Sequence, residues 1–551
     1  MQAETGRRGD DVAGWVEQFR ADRDALLRRY DLTVSPARWA RLAAFCAEWE
    51  GIAGALTPGP RDEELDRALL LRFVARSRAE WAREVERSAA AAFLLPFAGE
   101  IVELHESRRR HEVPDARAAA AALDRIAAAA RAMAGGAGAP RAETPVHLRA
   151  QARRDLEALR GALAAWHSHF SGYDPAFTWW TAAPYRHATA ALEAYAASGF
   201  GTRTPAAGSP NPETEAVPPL GEEGLRWELA AEGLPYSPLE LIAAAETEYA
   251  WGEAEMRRAA GELGFGDDWR AALEHVKSLH GPPGSQPALV RDLAREAIAF
   301  VEARELVTVP PLAKEVWRLE MMTPAEQEVN PFFLGGEVIK VSYPTDTMSH
   351  AARAMSLRGN NPHFSRATVQ HELIPGHHLQ GFMAARHHPH RRLFSTPFWV
   401  EGWTLHWEML LWELGFPRGP EDRIGMLFWR MHRCMRIVFS FGYHLETMTP
   451  DECVECLVER VGHERANAEG EVRRSFAGNY PPLYQAAYLL GGLQVHTLYR
   501  EATASGRYSA REFHDRVLQS GPMPPPFLRA LLLDLPFNEE VTDGWRFLDG
   551  A

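Results

Sequence analysis

Apolar residues recur every three to four positions along most of the chain, a period that predicts a mostly helical protein. From Val12 to about Ala134, segments rich in Ala, Leu, Arg and Glu carry it, as in Leu69-Leu70-Leu71-Arg72-Phe73-Val74. Ala118 to Ala134 reads as a helix with a small-residue face, stopped by Gly135-Gly136-Ala137-Gly138-Ala139-Pro140. A second helical block covers about Pro145 to Gly199, and helices resume from about Ser237 to Ala303. Between them, 201–224 is rich in Pro, Gly, Thr and Ser, which predicts an exposed loop or linker. The period changes at Leu306 to Pro311 (LVTVPP) and Gly336 to Tyr343 (GEVIKVSY), whose β-branched, alternating positions are the strand candidates. The pattern divides into an N-terminal helical lobe, 1–304, and a C-terminal lobe, 305–551, with no repeat of solenoid period.

Chemistry concentrates just after the second strand candidate, at His371-Glu372-Leu373-Ile374-Pro375-Gly376-His377-His378. In a regular helix, ligands at i and i+4 sit about 40° apart and about 6 Å along the axis, so both reach one ion. Here position 375 is proline, which cannot donate to the carbonyl of His371 and crowds that turn, and Gly376 accepts unusual dihedrals. A widened turn, as in a π-bulge, brings His377 back under His371. His378 shares the face of His371 but at a rise of about 10.5 Å. The expected ligands are therefore His371 and His377, with His378 either behind them, off the ion, or competing as a ligand. Glu401, opening Glu401-Gly402-Trp403 after the apolar Phe398-Trp399-Val400, is placed to add a carboxylate from the next helix. Eight of the 22 histidines fall between His350 and His390, so enrichment alone decides little; the conjunction with Glu372 and Glu401 does. Two imidazoles and one carboxylate predict zinc, one per chain. Glu372, beside a ligand, is the expected general base, taking a proton from zinc-bound water.

Val369 to Gln380 (VQHELIPGHHLQ) and Trp399 to Trp403 (WVEGW) resemble the bacterial family catalogued as domain of unknown function 885. The likeness extends through Arg433 to His444, Gln485 to Gly491 and Phe513-His514-Asp515, and more weakly over Pro219 to Gly264. That family is regarded as zincin-like, of gluzincin type, in the style of thimet oligopeptidase, angiotensin-converting enzyme and dipeptidyl peptidase III. The resemblance implies a helical metallopeptidase, with a small β element beside the metal helix and a deep groove between two lobes. It favours His377 over His378, because such families keep Gly-His at the end of the motif. It also suggests Tyr488 and His514 as donors to the oxyanion, with His444 a third. Two positions depart from the pattern: Ser440 stands where an acid is usual, and His406 where a tyrosine is. These bear on substrate handling, not on the expected ligands.

Around this core, Glu408, one heptad after Glu401, is expected either to fix a ligand imidazole's tautomer or, more readily, to pair with a surface arginine. Arg433 and Arg436 fit a substrate carboxylate in bidentate fashion, against a competing reading as helix-surface salt bridges. The Gly336 to Tyr343 strand, with Tyr343 at its end, is expected to align an extended substrate or simply to form a structural hairpin. His387-His388-Pro389-His390-Arg391-Arg392 reads as a solvated loop between helices. Cys453 and Cys456 form an isolated C-x-x-C in the first turns of a helix capped by Thr449, Pro450 and Glu452, without the second pair a metal site needs.

The chain of 551 residues is 46% hydrophobic and 24% charged, and its net charge of −14 argues against nucleic acid as a partner. The segment MQAETGRRGDDVAGW has no apolar leader region, and no run of eighteen apolar residues occurs, so no membrane partner and a cytoplasmic location are expected. The expected function is zinc-dependent hydrolysis of amide bonds in short peptides. The alternatives are a zinc hydrolase of a non-peptide amide in specialised metabolism, and a catalytically silent peptide-binding protein.

Overall fold

The computed structural model describes residues 12–135, 144–199, 217–329, 332–336, 338–478 and 480–549. The described residues are overwhelmingly helical, as the period predicts. The chain forms two compact units, Met1–Pro58 with Leu70–Thr204, and Gly59–Leu69 with Pro205–Ala551. The division therefore falls at Thr204/Pro205 and not at 304/305. The reason is packing: the helix Pro238–Glu262 lies along Pro420–His444, and Gln286–Ala303 lies against Pro362–Glu372. Of the predicted exposed loop, 201–216 lies outside the described residues, and Gly221–Ala231 is a helix.

In the first unit the alanine-rich segment forms the helix Ala116–Gly135, which packs against Pro175–Gly199. Its buried face is Ala119, Leu123, Ile126, Ala127 and Ala130, set against Leu156, Leu163, Trp166, Leu192 and Tyr195. Short side chains let the helices approach closely, and the large residues of the partners fill the space between them.

The second unit holds the strands. β1 (Arg318–Met321), β2 (Phe333–Leu334) and β3 (Val338–Val341) form one sheet in the order β1-β3-β2. β1 pairs with β3 in parallel, Arg318 opposite Val338, and β2 pairs with β3 antiparallel, Phe333 opposite Val341. β3 lies in the predicted Gly336 to Tyr343 segment. Leu306 to Pro311 is not a strand: Pro310 and Pro311 lack the N–H a ladder needs, and Pro311 instead opens the helix Pro311–Val316. Because β3 is paired on both sides, it has no free edge for an extended substrate.

The helices that carry the candidate chemistry begin at strong caps. Asn361 accepts from the backbone N–H of His363 and Phe364 ahead of Pro362–Glu372, and Thr396 accepts from Trp399 N–H ahead of Pro397–Glu413. Proline at the first helical position pre-sets φ in both. The helix Pro397–Glu413 is buried almost all round, and its Trp403 and Trp407 are among the largest fully buried side chains. Each such ring contributes about 4–6 kcal/mol of gross transfer free energy. The predicted capping box at Thr449 and Glu452 is present, ahead of the helix Pro450–Val461.

Candidate metal centre

The motif does not widen a continuous helix, as expected; it interrupts one. Pro362–Glu372 stops, Ile374–Pro375 forms a cis peptide bond, and a new helix, His377–Ala384, begins after Gly376. Two backbone bonds span the break, Gly376 N–H to Gln370 O at 3.0 Å and Leu379 N–H to Leu373 O at 3.2 Å. Only glycine fits at 376, since a Cβ there would lie 1.7 Å from the carbonyl oxygen of His371. The result is that the His371 and His377 rings meet edge to face, with centroids 4.9 Å apart.

Glu401 completes the group. Its Oε2 lies 3.5 Å from His371 Nε2 and 3.3 Å from His377 Nε2, and the three donor atoms lie within 4.8 Å of one another. Glu401-Gly402-Trp403 makes three contacts in one turn. Gly402 lies against the backbone of Gly491 in the helix Tyr484–Ala504, where a Cβ would come within 2.7 Å. Trp403 Nε1–H donates to the carbonyl of Pro375 at 2.9 Å, tying the ligand helix to the break.

Supports around these donors are also in place. His371 Nδ1–H donates to Glu408 Oε1 at 2.6 Å, which leaves Nε2 with its lone pair towards Glu401 and His377. Glu408 lies 3.5 Å from Arg433 as well, and both are buried, so the anticipated arginine partner exists but not on the surface. Tyr484, not anticipated, donates its hydroxyl to Glu401 Oε1 at 2.6 Å. Burial works to lower the pKa of His371, yet Glu401 and Glu408 outweigh it and raise it to about 9. Burial works to raise that of Glu401, but His377 and His371 hold it well below the usual carboxylate range. The site thus strongly attracts positive charge. Glu401 Oε2 and Glu372 Oε2 are buried without a hydrogen-bond partner, and these orphaned oxygens, with two converging imidazoles, fit a small divalent cation of the zinc type.

A cavity of about 410 Å³ opens over these donors, and every residue lining it belongs to the second unit. Glu372, Tyr488, Arg433 and Arg436 line it, as do the edge residues Phe333 and Gly335 of the β2 segment. Glu372 packs against Gly335, where a Cβ would clash with its Oε2 at 1.7 Å. Arg433 and Arg436 are buried rather than on the helix surface. Arg474, Glu471, Tyr480 and Tyr484 also line the cavity and were not anticipated. The four-residue spacing of Tyr484 and Tyr488 was the available signal, since it repeats one face of the helix Tyr484–Ala504; Tyr480 lies before that helix.

Several anticipated residues lie elsewhere. His378 donates through Nε2 to Ala313 O at 2.9 Å and turns away from the donors, so it neither supports nor competes as a ligand. His514 is enclosed: Nδ1–H donates to Leu306 O at 2.7 Å and Nε2 meets His406 Nε2 at 2.9 Å, so it reaches no substrate. Burial lowers its pKa to about 4. His406 joins His514 and His496 below the tryptophans, and neither it nor Ser440 lines the cavity. His444 is buried beside Tyr443 and Phe476. Tyr343 is held by its backbone N–H to Gln327 and is not part of the cavity wall.

The His387 to Arg392 stretch is solvated only in part, Pro389 and Arg392 being exposed. It forms a short 3-10 helix, Pro389–Phe394, with His390 and Arg391 buried against Asp66. Asp66, His388 and His390 are a second group of three donors, but Asp66 accepts from Arg391 Nε at 2.6 Å and from His390 Nε2 at 2.9 Å. Cys453 and Cys456 are free, buried thiols, with burial raising both pKa values.

Two solved structures share the fold. One is described as a candidate lipoprotein of unknown function from Shewanella oneidensis, with TM-score 0.67 and 17% identity over 95% of this chain and 100% of that one. The other, from Colwellia psychrerythraea, is also described as a candidate lipoprotein, with TM-score 0.56 and 14% identity over 95% of this chain and 99% of that one. No curated protein matches the chain. No helix among the described residues is long and apolar enough to cross a membrane. The expected cytoplasmic location does not stand: both neighbours are described as lipoproteins, and a lipid anchor needs no spanning helix. The sequence profile described as bacterial protein of unknown function (DUF885) matches residues 21–532, and the chain belongs to that family.

Proposed function

We propose that this protein is a zinc-dependent hydrolase of amide bonds, a zincin-like metallopeptidase acting on short peptides. One observation carries the reading: Glu372, whose Oε2 is buried without a hydrogen-bond partner, lines the same cavity as His371, His377 and Glu401. Zinc bound by those three residues supplies a Lewis acid that polarises an amide carbonyl and makes water more acidic. Glu408 and Tyr484 hold His371 and Glu401 in register. Glu372 takes a proton from water at Oε2 and returns it to the leaving nitrogen. Burial raises the pKa of Tyr488, helped by Glu401, so its hydroxyl remains a donor for the developing oxyanion. The backbone beside β2, at Phe333 and Gly335, replaces β3 as the surface an extended substrate meets. Carried over from the neighbours' descriptions, a lipid anchor would put this activity at a membrane surface.

Metal analysis and digestion of a short-peptide library test this together. The expected result is about one zinc per chain and cleavage that falls about 10²–10⁴-fold in Glu372→Gln, with zinc retained. Peptide binding without turnover in the zinc-loaded protein would instead make it a silent binding protein. Turnover confined to non-peptide amides would move the substrate to specialised metabolism.

A further inference from the structure

Facing the donors across the cavity are three buried guanidinium groups: Arg433 and Arg436 on the helix Pro420–His444, and Arg474 on Arg465–Phe476. Their carboxylate partners are few. Arg436 Nη2–H donates to Glu471 at 2.5 Å, and Arg474 lies 3.8 Å from the same carboxylate. Arg433 is 3.5 Å from Glu408, which His371 already engages. Nη1 and Nε of Arg436, and Nε of Arg433 and Arg474, are buried with no hydrogen-bond partner. Aromatic faces hold the cluster in place: the Tyr488 ring centroid is 4.4 Å from both Arg433 and Arg436, and that of Tyr480 is 5.0 Å from Arg474. Buried cations with free N–H groups, locked in planar forks, match a carboxylate that the protein itself does not supply.

Resting on the amide-hydrolase reading, we infer that this cluster binds the free carboxylate of the substrate, and that the scissile amide is the one next to it. The spacing supports that choice. Arg436 is 4.4 Å from the Tyr488 ring, whose centroid is 6.3 Å from that of His371. Allowing about 4 Å for contact at each end leaves at most about one extended residue between the metal ligand and the cation. Phe332, Trp399 and Trp429 supply an apolar wall for that residue's side chain. The reaction removes one C-terminal residue: the amide C–N bond breaks, a C–O bond to water forms, and the water proton taken by Glu372 passes to the departing amine. Short peptides ending in an apolar residue, and N-acyl amino acids, are the substrate class.

The test reads binding and turnover separately. Zinc-loaded Glu372→Gln protein is titrated calorimetrically with acetyl-Ala-Phe and with its C-terminal amide. The acid should bind at least tenfold more tightly, and the preference should shrink in Arg436→Gln combined with Glu471→Gln, which removes one fork of the cluster and leaves no lone buried carboxylate. A preference below tenfold in Glu372→Gln overturns the carboxylate subsite, with no arginine variant needed to read it. Wild-type protein should release phenylalanine from the acid and leave the amide intact; equal cleavage of both, or cleavage at internal bonds, also overturns it. Tight acid binding with no cleavage of any peptide would sustain the subsite and count against the hydrolase reading.

Discussion

Two places in the second unit gather two imidazoles and one carboxylate, and they differ in what already answers the carboxylate. At Asp66, His388 and His390, Arg391 and His390 saturate the acid, with Arg391 also reaching Asp62 and the carbonyl of Ser520. At His371, His377 and Glu401, one carboxylate oxygen takes the Tyr484 hydroxyl and the other takes no hydrogen bond. The first cluster is a closed ion pair that fastens the start of the helix Arg61–Ala91 to the 3-10 turn. The second is an open donor set with a supporting hydrogen bond behind His371 and another behind Glu401. Residue type and proximity are the same in both; the arginine makes the difference.

Removing donors should separate the two most sharply. His377→Ala should weaken zinc binding by about 10²–10⁴-fold, a one-third share of a binding free energy of about 10–16 kcal/mol. Measured by competition with a chelator, His388→Ala and His378→Ala should leave affinity unchanged. Zinc lost from His388→Ala instead would assign the metal to the Asp66 cluster. Arg391→Ala should cost about 3–5 kcal/mol of stability by leaving the buried Asp66 under-compensated, while one zinc still binds. Thermal unfolding alongside metal analysis checks this, and a stable variant that gains a second zinc would show that the arginine had been excluding an ion. The smallest expected effect is at the support of Glu401. Tyr484→Phe should lower zinc affinity about 10–100-fold with little change in folding, and no change at all would remove Tyr484 from the site.

The same contrast marks what the chain announces and what it hides. His371, His377, Glu372 and Glu401 were legible because Pro375 and Gly376 signal a break within a helical period, and the Glu-Gly-Trp triplet follows at a short distance. The cap at Thr449 was legible for a similar reason: its chemistry is local. Asp66 was not, since its partners lie more than three hundred residues away and nothing near it in sequence points to them. Nor was the burial of Arg433, Arg436 and Arg474, because arginine on a helix is ordinarily exposed and only tertiary packing encloses it. β2 has only two residues and β1, Arg-Leu-Glu-Met, carries no β-branched side chain, whereas β3, of the same length as β1, is marked by its Val and Ile. The unit boundary was misplaced because the packing of Pro238–Glu262 on Pro420–His444 is invisible to a one-dimensional pattern.

The three contacts made by Glu401, Gly402 and Trp403 have a consequence for how this chain tolerates change. Successive helical residues are about 100° apart, so one extra or missing residue between the Thr396 cap and position 401 would rotate all three at once. The acid would swing off the imidazoles, a side chain would be driven into the Gly491 backbone, and the indole would lose the Pro375 carbonyl. Point changes along the first turn are absorbed one at a time, whereas a single insertion or deletion there disassembles the centre, which makes this helix start a segment whose length is held more tightly than its composition.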